Sequence, residues 1–115
     1  MFARRVSMQL KPNSVAEFTQ RIEKDILPLL RKQKGFQDEI TCISKGQREA
    51  FGISLWENAE NADAYNHGTY PEVTKILARV VDGTPQVETY EVSNSTFHKI
   101  AAHGAAARSR QVFVG

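Results

Sequence analysis

Apolar residues alternate in two stretches of this chain, Phe2 to Leu10 and Glu49 to Trp56, and recur at helical spacing in two others, and the order of those periods leaves few folds open. Residues Phe2 to Leu10 alternate: Phe2, Val6, Met8 and Leu10 share one side with Arg4, while Ala3, Arg5, Ser7 and Gln9 share the other. Lys11-Pro12-Asn13 ends this first strand. Ser14 and Glu17 have the spacing of an S-x-x-E capping box, and Val15, Phe18, Ile22, Ile26, Leu29 and Leu30 follow at helical spacing. Pro28 lies inside that pattern and predicts a kink or a shortened last turn, since it lacks an N–H and crowds the preceding turn. Lys32, Lys34 and Gly35 suit a helix C-terminus.

Phe36 to Lys45 and Glu49 to Trp56 read as a hairpin around Gly46-Gln47-Arg48. In its second strand Phe51, Ile53 and Leu55 form a bulky apolar face, and Ala50, Gly52, Ser54 and Trp56 form the other. Asn58 suits the cap of a short helix ending near His67-Gly68. Thr69 and Glu72 have capping-box spacing before Val73, Ile76, Leu77 and Val80, at helical intervals. Asp82-Gly83-Thr84-Pro85 predicts a turn, and Gln86 to Phe97 a last strand. Cys42 lies mid-strand and reads as a small core residue.

This order predicts an α+β, ferredoxin-like β-α-β-β-α-β fold, with a four-stranded antiparallel sheet and helices on one face. Helices cover only one side of such a sheet. The other side would expose either Trp56 or the row Phe51, Ile53 and Leu55, so a second copy packed sheet to sheet is expected, giving a homodimer. Residues 1–97 would form this domain and residues 98–115 an Ala-rich C-terminal extension, with Val112-Phe113-Val114 available to a partner chain.

Composition excludes several classes. The net charge is +2, from 15 Lys and Arg against 13 Asp and Glu, and Lys99, Arg108 and Arg110 all lie in the extension. The nearly neutral remainder has no concentrated basic face for nucleic acid. No apolar run is long enough to span a bilayer, and Arg4-Arg5 is not followed by the apolar region of a signal peptide. With Cys42 as the sole cysteine no internal disulfide can form, and a cytoplasmic protein is expected. His67, His98 and His103 share no metal-ligand spacing with Cys42 or with a carboxylate pair, so no metal site is expected. Phosphate-binding glycine loops and the G-x-S-x-G elbow are also missing.

Two segments carry a resemblance. EFTQRIEKDILPLLRKQKGF, residues 17–36, resembles the first helix and turn of the antibiotic biosynthesis monooxygenase superfamily of dimeric α/β-barrel proteins. FGISLWENAENADAYNHGTYPEV, residues 51–73, resembles its third strand and the helices after it. The resemblance implies a dimeric α/β barrel over residues 2–97 and a small oxygenase acting on an aromatic or quinol-type molecule without metal, flavin or other cofactor. The alternative is a non-catalytic dimer that binds a small molecule or a protein partner. Haem degradation, another activity of this superfamily, uses an Asn on the first strand, a Trp on the second helix and a His on the third. Here Arg5 and Ser7, then Tyr65, stand in place of the first two, and Tyr70 to Val81 contains no His.

An oxygenase of this kind needs a base or hydrogen-bond donor at the substrate oxygen, within apolar walls. The expected catalytic groups are His67, Tyr65 and Tyr70. The expected substrate-binding groups are Arg5, Phe51, Trp56, Asn61 and Asn66. Each also has a structural reading. His67 suits a helix end, Tyr65 a core position and Trp56 a barrel wall or dimer interface. Arg5 suits a cross-strand ion pair, and Asn61 and Asn66 suit an exposed turn and a helix end.

Overall fold

The alternating N-terminal stretch becomes a central strand with two chemically different faces. A computed structural model describes residues 1–100. Its strands are β1 (Phe2–Leu10), β2 (Phe36–Ile43), β3 (Glu49–Trp56) and β4 (Val81–Glu91), in the order β2-β3-β1-β4 with every pairing antiparallel. Between β1 and β2 lie α1 (Val15–Arg21), a π turn (Ile22–Ile26) and α2 (Leu27–Arg31). Between β3 and β4 lie α3 (Ala59–Gly68) and α4 (Tyr70–Leu77). This is the ferredoxin-like architecture that the alternating periods predict. Among the described residues no helix is long and apolar enough to cross a membrane.

The effect of Pro28 appears one turn earlier than expected. The Leu27 N–H reaches back five residues to the Ile22 carbonyl, so the helix widens into a π turn just before the proline ring. That turn presents Ile22 and Ile26 to the sheet. The two capping boxes do not form. Ser14 Oγ donates to the Pro12 carbonyl at 3.4 Å, and the Glu17 carboxylate accepts from Arg21 and Arg79 instead. Thr69 links α3 directly to α4, and its own N–H bonds the Tyr65 carbonyl at 3.0 Å. Asn58 does cap α3, its Oδ1 accepting the Asn61 N–H at 2.9 Å.

The predicted turn at Asp82–Pro85 is instead a bulge inside β4. Gln86 pairs with Ser7 and Asp82 with Gln9, so β4 advances four residues where β1 advances two. Gly83 takes φ +70° there, and Pro85, which has no N–H to donate to a ladder, sits within the same interruption. The strand ends at Glu91 rather than Phe97. The following segment reaches the opposite edge of the sheet, where the His98 ring meets the Asp38 carboxylate on β2. Residues 101–115, the bulk of the expected extension, lie outside the described residues.

Residues paired across an antiparallel ladder share a face, and the register therefore sorts the side chains. The helix-covered face holds Phe2, Arg4, Val6 and Met8 of β1 opposite Trp56, Ser54, Gly52 and Ala50 of β3. The core on that side is built from Leu10, Phe18, Ile26, Leu30, Trp56, Tyr65, Val73, Leu77 and Val80. The open face holds Phe51, Ile53 and Leu55, with Cys42 and Ile40 beside them on β2. Cys42 is thus half-buried on the open face and not in the core. Ile40 is 57% exposed.

A second bulge decides which residues of β2 face the helices. Phe36 pairs with Trp56, but Asp38 pairs with Leu55, so Gln37 is an extra residue. Simple alternation from Phe36 would turn Asp38 and Ile40 inward. The extra residue inverts the phase, so Glu39, Thr41 and Ile43 point inward and Ile40 points out.

Candidate functional site

One row across the middle of the covered face is polar: Arg4 on β1, Ser54 on β3 and Glu39 on β2 are register partners. The next row is Val6, Gly52 and Thr41. Above these rows, between the sheet and the helices, lies a cavity of about 50 Å³. That is room for about three or four waters, or a single small ring in their place. Arg4, Ser54, Thr41 and Glu39 line its sheet side, Tyr65 and Tyr70 its roof, and Ile22 and Ile26 of the π turn one wall.

Arg4 is 3% exposed. Its Nη2 donates to Asn66 Oδ1 at 2.7 Å, and its guanidinium lies 4.0 Å from the Tyr70 ring centroid and 5.1 Å from that of Tyr65. Among the described residues no carboxylate lies within ion-pair distance of it. Burial pulls its pKa down, which marks a cation held largely out of water. Tyr65 is pushed up to about 12, chiefly by burial and against the pull of Arg4. Burial also raises Tyr70, again opposed by Arg4. Both phenols therefore keep their protons at neutral pH and are not bases.

Glu39 faces the cavity from the opposite edge. Thr41 Oγ1 donates to its Oε2 at 2.7 Å, and burial raises its pKa despite that bond. Its carboxylate lies over Gly52: a Cβ there would stand 2.8 Å from Glu39 Oε2. Trp56 is fully buried behind Tyr65. The two rings stack at 5.0 Å, Phe36 meets the indole edge-on at 5.6 Å, and Trp56 Nε1 donates to Ser54 Oγ at 2.9 Å.

The expected site residues therefore divide. Tyr65 and Tyr70 line the cavity, and Asn66 reaches it through Arg4. Trp56 supports Tyr65 from within the core, rather than forming an interface or lining the cavity. His67 is exposed on α3, its Nδ1 2.9 Å from the Asp63 carbonyl one turn back, so it is not placed to serve the cavity. Asn61 packs against Gly35, whose backbone leaves room for its side chain. Arg5 and Phe51 lie on the open face, lining a separate depression of about 530 Å³. There Arg5 pairs with Glu88 at 3.3 Å and covers the Phe51 ring at 4.7 Å. Sequence reasoning missed Arg4 and Glu39 as site residues. Arg4 was legible as the one charge among Phe2, Val6, Met8 and Leu10. Glu39 was hidden by the bulge at Gln37.

No protein-family model matches the sequence, and no curated protein is similar to it. Solved structures are similar. A Nitrosomonas europaea protein of unknown function aligns over 88% of this chain and 94% of its own, at 18% identity and a TM-score of 0.68. A Bordetella bronchiseptica protein, provisionally described as an antibiotic biosynthesis monooxygenase, aligns over 79% of this chain and 95% of its own, at 18% identity and a TM-score of 0.68. SnoaB, a cofactor-independent oxygenase from Streptomyces nogalater, aligns over 84% and 97%, at 11% identity and a TM-score of 0.67. At these identities the likeness is one of backbone, and it agrees with the resemblance carried by residues 17–36 and 51–73: this chain has the fold of the antibiotic biosynthesis monooxygenase proteins.

Proposed function

We propose that the cavity takes a small phenol or quinol and that the protein oxidises it with molecular oxygen, without a metal or flavin. The observation that carries this reading is Arg4, a cation 3% exposed with no carboxylate partner among the described residues, facing a cavity roofed by two protonated tyrosines. A phenol becomes a useful reductant of oxygen when it loses its proton. A desolvated guanidinium favours that anion far more than one in water does. Asn66 fixes the guanidinium, and Tyr65 and Tyr70 supply walls and donors. The cavity's size favours a single ring over a fused system. SnoaB, similar in fold, is described as a cofactor-independent oxygenase, which supports the reaction class and no particular substrate.

Oxygen uptake by the pure protein with a panel of single-ring quinols tests the reading. Consumption is expected with at least one of them, reduced about 100-fold or more by Arg4→Met, the scale on which one electrostatic donor matters. The tightness of the cavity favours a second reading, a non-catalytic binding protein. Quinols that quench Trp56 fluorescence without consuming oxygen would select it.

We also propose that a second copy covers the open face. Ile40, 57% exposed, lies beside Ile53 in register, with Phe51 and Leu55 on either side along β3. Sedimentation is expected to show a dimer at micromolar concentration, converted to monomer by Ile53→Asp. A wild-type monomer would contradict the proposal.

A further inference from the structure

The covered face of β2 inverts the usual order of burial. Its bulge at Gln37 turns a carboxylate toward the core side and an isoleucine toward the open side. A carboxylate turned away from water loses hydration, and here a threonine hydroxyl donates a hydrogen bond to it. Three features hold it there. Thr41 Oγ1 donates to Oε2 at 2.7 Å; Gly52 offers no Cβ beneath it; and Ser54, its register partner, is small. Arg4 lines the same cavity, two strands and about 10 Å away by strand spacing, without forming an ion pair with it. Opposite charges that share a cavity and remain apart leave room for a ligand between them.

We propose that Glu39 is the proton acceptor of this cavity, taking the hydroxyl proton of a phenol whose oxygen then faces Arg4, and that Gly52 is the residue that admits it. This rests on the reading that the cavity takes a phenol. In the step the phenol O–H bond breaks, a carboxyl O–H bond forms on Glu39, and the charge passes from carboxylate to phenolate. No electron moves and no proton leaves the protein. The groups facing Glu39 do not compete for the role. Arg4 on β1 holds its proton, as do Tyr65 on α3 and Tyr70 on α4, while Thr41 is not a base near neutral pH. Phe18, Ile22, Ile26 and Leu30, from α1 through α2, bring only hydrocarbon, and β3 brings Gly52 and Ser54. Burial raises the Glu39 pKa, which narrows the gap to a phenol that Arg4 makes more acidic.

The test uses 4-nitrophenol, whose anion is coloured, added to the full-length protein below the free phenol's pKa. Absorbance counts phenolate formed, and a pH indicator in weak buffer counts protons released. In wild type, phenolate colour is expected without proton release, because Glu39 keeps the proton. In Glu39→Gln, any phenolate that forms is expected to be matched by one proton released, and the colour at a given pH to fall about tenfold or more. Gly52→Ala, which displaces the carboxylate while leaving Arg4 in place, is expected to follow Glu39→Gln. Phenolate without proton release in Glu39→Gln would overturn the proposal, since another group would then be the acceptor. So would proton release matching phenolate in wild type. Absence of binding to wild type would overturn the phenol-site reading itself, and the two failures are thereby distinct.

Discussion

Trp56→Ala is expected to cost about 3–5 kcal/mol, within the range for truncating a buried aromatic. The indole is fully buried, stacks on Tyr65, meets Phe36 edge-on and spends its N–H on Ser54 Oγ. Removing it leaves a cavity beneath Tyr65 and a buried serine short of one partner, because Ser54 Oγ retains only its 3.4 Å contact with the Arg4 carbonyl. A domain of this size has about 5–15 kcal/mol in total, so the loss is a large share of its stability. Urea unfolding followed by circular dichroism should show the midpoint falling by about 2 M, given a slope of about 1–3 kcal/mol/M. Trp56→Phe, which keeps a ring on Tyr65 and drops the N–H, should lose clearly less. Equal losses in the two variants would mean that the hydrogen bond, not the stack, holds this end of the core. A loss below about 1 kcal/mol for alanine would be that of an exposed residue and would contradict the packing.

The framework of the fold was legible because it depends on spacing. Phe2 to Leu10, the run from Phe18 to Leu30 and the run from Val73 to Leu77 keep one period, and they became a strand, a helical segment interrupted by the π turn, and a helix. The site was less legible because it depends on phase and facing. Alternation separates Arg4 from Arg5 but does not say which side the helices will cover. On β3 the more apolar row, Phe51, Ile53 and Leu55, was left open, and the small row, Ala50, Gly52 and Ser54, was covered. Small residues there give helices and cavity room to approach the sheet, so apolarity alone points the wrong way. On β2 a single extra residue reverses the faces, and no local pattern in Phe36 to Ile43 announces it.

The local motifs failed for a related reason. Ser14 with Glu17 and Thr69 with Glu72 have capping-box spacing, yet Glu17 is drawn to Arg21 and Arg79, and Thr69 is absorbed into the junction of two consecutive helices. Competing partners, one turn along the helix for Arg21 and across the fold for Arg79, override a capping bond of similar strength. His67 shows the same limit. A histidine beside two tyrosines looks like chemistry in a linear reading, but the helix turns Tyr65 toward the sheet and His67 toward solvent, where it bonds its own backbone.

Arg4→Met is expected to make the protein more stable while removing its ligand site. Holding a cation at 3% exposure costs several kcal/mol of lost hydration. Against this stand one hydrogen bond to Asn66 at 2.7 Å and the faces of Tyr70 and Tyr65, together about 2–4 kcal/mol. No carboxylate among the described residues adds a Coulombic return. Methionine has a similar reach and fills the space with hydrocarbon, and the partly buried Asn66 oxygen can bond water instead. The net gain should be about 1–3 kcal/mol, raising Tm by roughly 5–15 °C. The gain should be nearly the same from acidic to mildly alkaline pH, since the guanidinium stays charged throughout. Glu39→Gln differs in sign logic. A carboxyl whose folded pKa is raised favours folding when protonated, so that variant should gain stability only as pH rises through the carboxyl's titration. Calorimetry on both variants across pH separates the two cases. If Arg4→Met instead lowers Tm by several degrees, the guanidinium is a structural bracket between β1 and the helices. The buried charge would then be kept for the fold and not for an anionic ligand.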